Sequence, residues 1–450
     1  MSVGKDLLLS NTNSLKIGYI NGEASRLNEK VVDGQWISYL SEYAALVKIP
    51  PVALLKLFGG SIQHWHAHLP DSLDDFAAGL AQLCEKYGIT VLYLNIPFMV
   101  PYILWARNRM NIDLKVIFFG HSVASEFWLK LWLAAAPAIR PSDILLCPSR
   151  SSKTAMLNLS ERYQFAHCIP HCIKLDKQRM IPRSKSGFNI LSIGRIEDVK
   201  NIDFLIRCFA DIKSKLNRAE LVIAGEYTGK NQAQIQEYQR LITESIITFQ
   251  LGSSVKLVGP VFGESKEHCF QEVDLLVNLS TDPGETFGYN LIEAKKWALP
   301  VVCTRWDGFR EVIEDFQDGV MVECRWDGKL PEINYEKTVD NCIQLLTDEP
   351  WREKLGLRAL QNSTKFNYEL IIPEILEIIT NSSTVLEDPK DNPTKLAMLS
   401  ISELPQIYHL EKLQFLEIQN ETPLSILLKD YPDSLKEWMP KVKPVINHFV

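Results

Sequence analysis

The sequence lacks an excess of basic residues, because its 450 residues include 48 Lys and Arg against 55 Asp and Glu. A protein that binds nucleic acid as a polyanion needs clustered positive charge to neutralise phosphates. The formal net charge of -7 therefore argues against nucleic acid as a partner. A small phosphate ligand stays open, since it needs only a local positive site.

The sequence also lacks a disulfide framework and a long apolar run. Its nine cysteines are scattered, which favours a reducing compartment. No window of 18 uninterrupted apolar residues occurs, and the first twenty residues do not have the pattern of a secretory signal. We therefore expect a cytoplasmic protein without a membrane-spanning helix.

One stretch is apolar enough to lie on a membrane surface, EFWLKLWLAAAPAI at 126–139. Helices that lie on membranes are usually rich in Lys and Arg on their polar face, whereas this stretch has only Lys130. Packing in a core is the favoured interpretation, and peripheral contact with the cytoplasmic face of a membrane is the alternative.

Short segments rich in Val, Ile and Leu recur along the chain and alternate with helix-length amphipathic segments. Near-continuous apolar strands suit parallel sheets that are covered on both faces, and this alternation predicts doubly wound α/β domains. The predicted strand segments are 14–22, 89–96, 114–121 and 143–149 in the first half, and 188–195, 219–226, 255–260, 274–280 and 299–304 in the second.

A polar and basic segment, IKLDKQRMIPRSKSG at 173–187, separates the two sets of strands. Such a segment is typical of a linker between domains. After about residue 381 only helix-like patterns remain. We predict a first Rossmann-like domain at 1–173, a linker at 174–187, a second Rossmann-like domain at 188–365, a helix at 366–381 and a helical C-terminal extension at 382–450.

The segment DPGETFGYNLIEAKKWALPVV at 282–302 follows a predicted strand and runs into a helix that starts near Phe287 or Gly288. The start of a helix presents unpaired N–H groups and the positive end of the helix dipole, where phosphate binds readily. The amides of Gly288, Tyr289 and Asn290 are therefore candidates for holding a diphosphate.

Two carboxylates bracket this turn, Glu285 in the loop and Glu293 eight positions later in the helix. A carboxylate accepts hydrogen bonds from paired hydroxyls, so the two acids suit a ribose and a sugar. The alternative is that Glu285 is an ordinary acid near a helix start and that Glu293 lies on a solvated face.

Two further motifs follow predicted strands. In ILSIGRIEDVKNIDFLI at 190–206, Arg195 and Lys200 stand at the carboxyl end of a strand, where open α/β sheets bind ligands. Ordinary surface charge is the alternative there. His121 follows the strand LKVIFFG in the first domain, where a lone His is more often an ordinary loop or core residue.

The order of these motifs, GR-x4-K, then E-x-F-G-x4-E-A, then G-x-x-E, resembles the large retaining glycosyltransferase family that includes sucrose synthases, glycogen synthases and bacterial mannosyltransferases. These are the group 1 glycosyl transferases, with an E-x7-E motif. The resemblance runs from about residue 140 to 375 and includes DILLCPS and KFNYELI. It implies the GT-B fold, in which two Rossmann-like, doubly wound parallel-sheet domains face a cleft, and a helix at 366–381 that returns toward the first domain.

The resemblance also implies a role for each matching residue. Arg195 and Lys200 match the pair that contacts the donor diphosphate, Glu285 matches the acid on the donor sugar, and Glu293 matches the acid on the ribose. His121 matches a histidine near the reacting centre. The implied catalytic residues are His121, Arg195, Lys200 and Glu285, and the implied donor-binding residues are Gly34, Arg195, Lys200, Gly259, Val261, Glu285, Thr286, Phe287, Gly288, Tyr289, Asn290 and Glu293.

Some positions depart from the family's pattern. The Gly-Gly of the first loop is replaced by Asp33-Gly34, the Asn-Gly near the linker by His171-Cys172, and a later Gly-Gly by Asp307-Gly308 ahead of Glu311. These changes concern hinge geometry and the choice of sugar more than phosphate binding. The segment HCIPHC at 167–172 has four side chains of the zinc-binding type, but consecutive residues around a Pro do not form a tetrahedron easily.

We therefore expect a retaining hexosyltransferase with no required cofactor and no metal. It would use UDP-glucose or UDP-galactose, with GDP-mannose as the second choice, and transfer the hexose to a hydroxyl of a saccharide or a lipid-linked saccharide, as in polysaccharide biosynthesis. The alternative is a non-catalytic protein with the same fold that binds sugar nucleotides or acts as a scaffold. A two-domain binding protein of the periplasmic type is a third interpretation.

Overall fold

The computed structural model describes residues 15–20, 32–57, 62–94, 99–120, 132, 135–159, 161–175, 188–229, 231–282, 285–326 and 331–382. The chain divides into two compact units. Of the described residues, those up to Cys172 and those from Tyr368 to Ser382 form the first unit, and those from Ile173 to Asn367 form the second.

The first unit contains a sheet of six parallel strands in the order β2-β1-β3-β4-β5-β6. Apolar side chains from both faces of this sheet are buried, as expected for strands covered by helices on either side. The strands are β1 (Lys16–Ile20), β2 (Ala45–Ile49), β3 (Val91–Tyr93), β4 (Lys115–Phe119), β5 (Ile144–Cys147) and β6 (His167–Cys168).

The first unit also contains helices, of which Val32–Ser41 and Arg150–Leu159 contact strands of this sheet. The described ones are α1 (Val32–Ser41), α2 (Pro51–Leu57), α3 (Ile62–Tyr87), α4 (Val100–Arg109) and α5 (Arg150–Leu159). The core includes Ile17, Trp36, Phe119, Ile144 and Ile372, all at most 4% exposed.

A buried ion pair between Arg107 and Asp143 joins helix α4 to the segment before β5. Arg107 also donates to the carbonyls of Leu114 and Ala138, at 3.2 and 2.9 Å, while Asp143 accepts from the backbone N–H of Val116 at 3.1 Å. A buried charge is tolerated where it is paired and its remaining hydrogen-bonding groups are satisfied. This pair therefore fixes where α4 and β4 meet.

Helix α13 (Tyr368–Asn381) follows the second unit in sequence but is part of the first. The ring of Tyr368 stacks on Tyr39 with centroids 4.4 Å apart, and its hydroxyl donates to Glu42 at 2.9 Å. At the other end, the Lys115 ammonium donates to the Ile379 carbonyl at 3.2 Å. Both ends of α13 are thereby anchored to the first unit.

The second unit contains another sheet of six parallel strands, in the order β12-β11-β10-β7-β8-β9. A short antiparallel pair, β13 (Cys324–Trp326) and β14 (Pro331–Ile333), follows this sheet's last strand along the chain. The six strands are β7 (Phe188–Ile193), β8 (Ala219–Ala224), β9 (Val255–Gly259), β10 (Leu275–Asn278), β11 (Val301–Thr304) and β12 (Val320–Val322).

The helices of the second unit contribute buried apolar side chains to its core. In the first of them, Leu205, Ile206 and Phe209 are at most 1% exposed. The described helices are α6 (Ile202–Lys215), α7 (Gln232–Thr248), α8 (Gly263–Gln271), α9 (Tyr289–Lys296), α10 (Phe309–Val312), α11 (Tyr335–Thr347) and α12 (Glu349–Ser363).

The strand order of the second sheet reverses direction between β7 and β10. The strands β7, β8 and β9 follow one another from the centre of the sheet to one edge. The strands β10, β11 and β12 follow one another from the centre to the other edge. In open α/β sheets the crevice at such a switch point, outside the carboxyl ends of the strands, is where ligands bind. The two sheets confirm the predicted α/β class with doubly wound parallel sheets.

Several predictions fall on residues outside the described part of the chain. These are 176–187 of the predicted linker, most of the apolar stretch at 126–139, and the predicted C-terminal extension beyond Ser382. Among the helices that the structure describes, none is long and apolar enough to cross a membrane.

Candidate functional site

Three glycines stand at the carboxyl ends of the three neighbouring strands β7, β8 and β9. The N–H of Gly194 donates to the Ala224 carbonyl at 3.0 Å, and the N–H of Gly225 donates to the Gly259 carbonyl at 2.8 Å. The hydrogen bonds between neighbouring strands thus extend to the glycines at the carboxyl ends of the strands. The turn that carries Arg195 is therefore fixed relative to Gly259.

Glycine is required at position 225 because the backbone there lies very close to the backbone of Gly194. A Cβ at this position would lie 1.7 Å from the Gly194 carbonyl oxygen, which no real structure tolerates. A Cβ at Gly194 or Gly259 would instead meet no described atom within 4 Å, and both have positive φ. At the described carboxyl edge the backbone at Gly194 and Gly259 is thus bare, with room for a ligand to approach it closely.

Asn201 connects the loop after β7 to the loop after β10. It has left-handed backbone geometry (φ 54°), a conformation that Asn adopts more readily than most residues. Its side-chain amide donates to the Leu279 carbonyl at 2.8 Å and to the Thr281 hydroxyl at 2.9 Å. The N–H of Thr281 donates in turn to the Val199 carbonyl at 2.9 Å. These bonds bring Lys200 next to the acids of the second loop.

The ammonium of Lys200 lies among three oxygen acceptors of the loop after β10. Its Nζ is 2.6 Å from Glu285 Oε2, 3.0 Å from Asp282 Oδ2 and 3.2 Å from Ser280 Oγ. Burial opposes the charged form of Lys200, but the carboxylates of Glu285 and Asp282 outweigh burial and raise the pKa of the amine. The lysine is therefore a permanent cation at this edge.

Arg195 is the second cation, and it is more exposed than the first. Its guanidinium forms an ion pair with Glu197 at 2.6 Å and a longer contact with Asp282 at 3.5 Å. The side chain of Arg195 is 59% exposed, against 14% for Lys200. Arg195 thus has the freedom to change partner, whereas Lys200 is held in place.

Helix α9 begins directly after a glycine with positive φ, Gly288 at 87°. A Cβ at Gly288 would lie 2.4 Å from the Phe309 ring, and a Cβ at Gly308 would lie 1.9 Å from the Thr286 carbonyl oxygen. Phe287 packs edge to face on Phe366 with centroids 5.7 Å apart. The turn before α9 is therefore packed tightly, and the first N–H groups of the helix have no acceptor within the helix itself.

Asn290, in the first turn of α9, joins this helix to the centre of the sheet. Its amide donates to the Ile193 carbonyl at 2.6 Å, and its oxygen accepts from the Asn278 amide at 3.0 Å. Ile193 is the last residue of β7 and Asn278 the last residue of β10. The start of α9 is thus placed at the switch point, next to the turn that carries Arg195.

Glu293 does not share the cluster around Lys200. Its carboxylate pairs with Lys266 of α8 at 2.6 Å, and the Glu293 side chain is 14% exposed. Helix α8 begins two residues after Val261, in the loop that follows Gly259. The pair therefore ties the second turn of α9 to the loop after β9.

The structure brings together most of the residues that the sequence singles out. Arg195, Lys200, Glu285 and the turn from Thr286 to Asn290 form one group at the switch point, and Glu293, Gly259 and Val261 adjoin it through α8. Gly34 lies in the first turn of α1 in the first unit, and His121 lies outside the described residues.

Residues that sequence reasoning missed hold this group together. Asn201, Asn278, Ser280 and Asp282 each connect two loops that are about 80 residues apart or anchor one of them. Their only signal in the sequence is a position at the end of a strand or in the loop that follows one, which many residues share. Such a signal does not identify a partner until the strand order is known.

The segment 167–172 has a place in the first sheet. His167 and Cys168 form the edge strand β6, and the buried His171 ring stacks on Phe119 with centroids 5.5 Å apart. Within the described ranges, no group of three or more His, Cys, Asp and Glu side chains is placed to hold a metal ion.

Comparison with protein families finds one match. Residues 176–361 match the family described as "Glycosyl transferases group 1". This range contains the two loops at the switch point and both glutamates of the E-x7-E motif.

Curated relatives match over less than half of the chain. A sucrose synthase of Melioribacter roseus is 24% identical over 201 residues, which are 42% of this chain and 24% of that protein. A D-inositol 3-phosphate glycosyltransferase of Thermomonospora curvata is 26% identical over 210 residues, 46% of this chain and 45% of that protein. The matched part thus spans less than half the length of these relatives.

Solved structures resemble a larger part of the chain. HepE of Anabaena, in complex with UDP and glucose, has a TM-score of 0.63 at 16% identity and covers 82% of this chain and 100% of that one. Sucrose-phosphate synthase of Thermosynechococcus elongatus has a TM-score of 0.62 at 15% identity, covering 81% and 98%. At these identities the likeness shows the fold, which is GT-B with two Rossmann-like units.

Proposed function

Because residues 176–361 match the family of group 1 glycosyl transferases, we propose that the protein transfers a hexose from a nucleoside-diphosphate sugar to a hydroxyl group. In finer terms, the donor is a UDP-sugar, the acceptor is a saccharide or a lipid-linked saccharide, and the anomeric configuration of the hexose is retained.

One observation supports this proposal above the others. Two cations, Arg195 and Lys200, lie at the switch point of the second sheet, beside the start of α9 that Asn290 holds against β7. The sheet edge there has bare backbone at Gly194 and Gly259. Positive side chains, a helix start and bare backbone at a switch point together suit a diphosphate ligand.

In the proposed reaction, the bond between the anomeric carbon and the phosphate oxygen lengthens and negative charge grows on the leaving diphosphate. Lys200, Arg195 and the first N–H groups of α9 are directed at this charge. Groups that are already in place when charge develops stabilise the transition state without a cost of reorganisation. The permanent charge and low exposure of Lys200 give it the larger share of this role.

The two acids of the motif have separate roles in this proposal. Glu285, which pairs with Lys200, accepts hydrogen bonds from hydroxyls of the donor sugar. Glu293, which pairs with Lys266 on the other side of α9, accepts them from the ribose. This division follows from their different neighbours, since Glu293 adjoins the loop after β9 and Glu285 adjoins the cations.

Retention of configuration is proposed with the leaving phosphate assisting the incoming hydroxyl. No enzyme nucleophile is assigned to this step. Arg195 and Lys200 are proposed to supply the positive charge that the leaving diphosphate requires.

UDP is favoured as the carrier because the solved structures of HepE hold UDP and UDP-glucose, and a sucrose synthase is among the relatives. Glucose is the first choice of sugar, galactose the second, and mannose from GDP-mannose the runner-up. The acceptor is proposed as a saccharide hydroxyl because glucose accompanies UDP in the HepE complex.

The test is release of nucleoside diphosphate from UDP-glucose, UDP-galactose and GDP-mannose with a panel of saccharide acceptors. Lys200→Ala should abolish most of the release, and Lys256→Ala, which removes an exposed lysine elsewhere in the same unit, serves as the control. Turnover by Lys200→Ala at the wild-type rate would contradict the assignment. Binding of UDP without turnover of any donor would point to a sugar-nucleotide-binding protein instead.

A further inference from the structure

Asp282 is shared by the two cations of the candidate site. The same carboxylate oxygen, Oδ2, lies 3.0 Å from Lys200 Nζ and 3.5 Å from Arg195 Nη2. No other described carboxylate contacts both cations. This arrangement has the geometry of an anion held between two positive groups.

The backbone of Asp282 is fixed on both sides of the residue. Its N–H donates to Ser280 Oγ at 3.2 Å, and its carbonyl accepts from the indole N–H of Trp306 at 2.8 Å. Trp306 is 1% exposed and Ser280 is fully buried. The carboxylate is therefore held at the cations by the packed core.

The charges at this point do not favour an added anion. The two cations face three carboxylates, those of Asp282, Glu285 and Glu197, which leaves the group with one formal negative charge. A diphosphate that approaches these cations brings further negative charge. One carboxylate must therefore give up its cation before a diphosphate can form close contacts.

On the basis of the proposed function, we propose that Asp282 is an internal competitor of the donor diphosphate for Arg195, the more exposed of the two cations. Arg195 exchanges Asp282 for phosphate when the donor binds and returns to Asp282 when the nucleoside diphosphate leaves. Asp282 thereby limits the affinity for the product and sets the rate at which it dissociates.

The two contacts of Asp282 differ in a way that assigns the exchange to Arg195. The 3.5 Å contact to Arg195 is longer than the 3.0 Å contact to Lys200, and the arginine is 59% exposed. Long contacts between exposed charges are weak and easily exchanged. Glu285 and Ser280 keep Lys200 in place throughout.

The experiment is calorimetric titration of the full chain with UDP, comparing wild type with Asp282→Asn. Asn keeps the size of the side chain and one oxygen acceptor but removes the charge. We expect Asp282→Asn to bind UDP about tenfold more tightly, the size of one charge interaction near a protein surface. Asp340→Asn, which removes the same charge from an exposed position on α11, should bind as wild type does.

Initial rates supply a second measurement. In Asp282→Asn, inhibition by UDP should strengthen by about the same tenfold factor, while kcat falls if product release limits turnover. Asp282→Ser also removes the charge, and it serves as a second variant if the Asp282→Asn protein does not fold. Thermal melting identifies which variants are folded.

The outcomes separate this proposal from the proposed function. If wild type binds UDP and folded Asp282→Asn and Asp282→Ser bind it equally or more weakly, the competitor role is refuted and the transferase proposal stands. If wild type binds neither UDP nor GDP, the proposed function fails, and this inference fails with it.

Discussion

The side-chain amide of Asn290 donates a 2.6 Å hydrogen bond to the carbonyl of Ile193, across 97 residues of sequence. This bond joins the start of α9 to the last residue of the central strand β7. This hydrogen bond therefore holds together the helix start and the turn of Arg195, on which the proposed diphosphate binding depends.

Asn290→Ala should weaken donor binding through loss of this connection. The variant loses two side-chain hydrogen bonds, to Ile193 and from Asn278, and because each contributes about 0.5–1.5 kcal/mol to stability, it should stay folded. We expect the KM for the donor to rise by roughly tenfold, with a smaller change in kcat, since one hydrogen bond of about 1.4 kcal/mol corresponds to that factor. Steady-state kinetics and urea denaturation measure the two effects, with Asn231→Ala, a cap of α7, as the control for loss of an asparagine contact.

Lys200→Ala should lower kcat/KM by about 100- to 1000-fold, the usual loss when one preorganised group facing developing charge is removed. The lysine is held by two carboxylates and a hydroxyl, so its removal also takes this cation from Glu285 and leaves Asp282 with its longer contact to Arg195. Lys200→Arg should recover part of the activity because the charge is restored. Equal activity of Lys200→Ala and wild type would show that the cation has no part in the reaction.

The raised pKa of Lys200 predicts how the free energy of unfolding depends on pH. In the unfolded chain the amine titrates near its ordinary value of 10.5, and in the folded protein it titrates higher. The ion pairs therefore stabilise the fold fully below about pH 10.5, and this contribution is lost as pH rises through the folded pKa. The stability difference between wild type and Lys200→Met should be constant from pH 7 to about 9.5 and should shrink above that. Urea denaturation across this range tests it, and a difference that grows with pH would contradict the assignment.

Glu293→Ala should reduce the ability to distinguish ribose from deoxyribose. If Glu293 accepts hydrogen bonds from the ribose, wild type should bind UDP more tightly than 2′-deoxy-UDP, by about three- to tenfold for one hydrogen bond. The variant should bind both with the same weak affinity. Lys266→Ala, which removes the partner of Glu293 at 2.6 Å, is the matched variant and should retain the discrimination. Undiminished discrimination in Glu293→Ala would place the ribose elsewhere.

Gly308→Ala should destabilise the second unit, because a Cβ there would lie 1.9 Å from the Thr286 carbonyl oxygen and 2.8 Å from the Phe287 nitrogen. Both are backbone atoms, which cannot move aside without displacing the turn before α9. Overpacking of this kind costs about 1–3 kcal/mol. Gly252→Ala is the control, since its Cβ would meet no described atom within 4 Å. Chemical denaturation measures the difference, and equal stability of the two variants would contradict the packing argument.

The strands were predictable from sequence to the extent that they are apolar and continuous. Each of the nine predicted strand segments contains an observed strand, from Lys16–Ile20 to Val301–Thr304. The additional strands β2, β6, β12, β13 and β14 are short or lie at sheet edges. His167–Cys168 is the clearest case, because a two-residue strand beside a proline has no periodicity of its own.

The helix start and the two cations of the site were predictable from the sequence. The contacts that join its loops were not. Arg195, Lys200 and Gly288 each follow a strand, and parallel strands end at a common edge. Pairing of Lys200 with Asp282 across 82 residues depends on β7 lying beside β10 and on the left-handed turn at Asn201. Neither the strand order nor a side chain's partner is encoded in local patterns, so Asp282 emerges only from the structure.

The position of α13 has a consequence for how the chain folds during synthesis. Ile372, Ile375 and Leu376 lie in the core of the first unit, although the ribosome makes them after the whole second unit. One apolar face of the first sheet therefore stays uncovered by this helix until about two hundred later residues have been translated. The second unit, contiguous from Ile173 to Asn367, is complete sooner after its own start. The unit that carries the cations can thus finish folding before the unit that precedes it in the sequence.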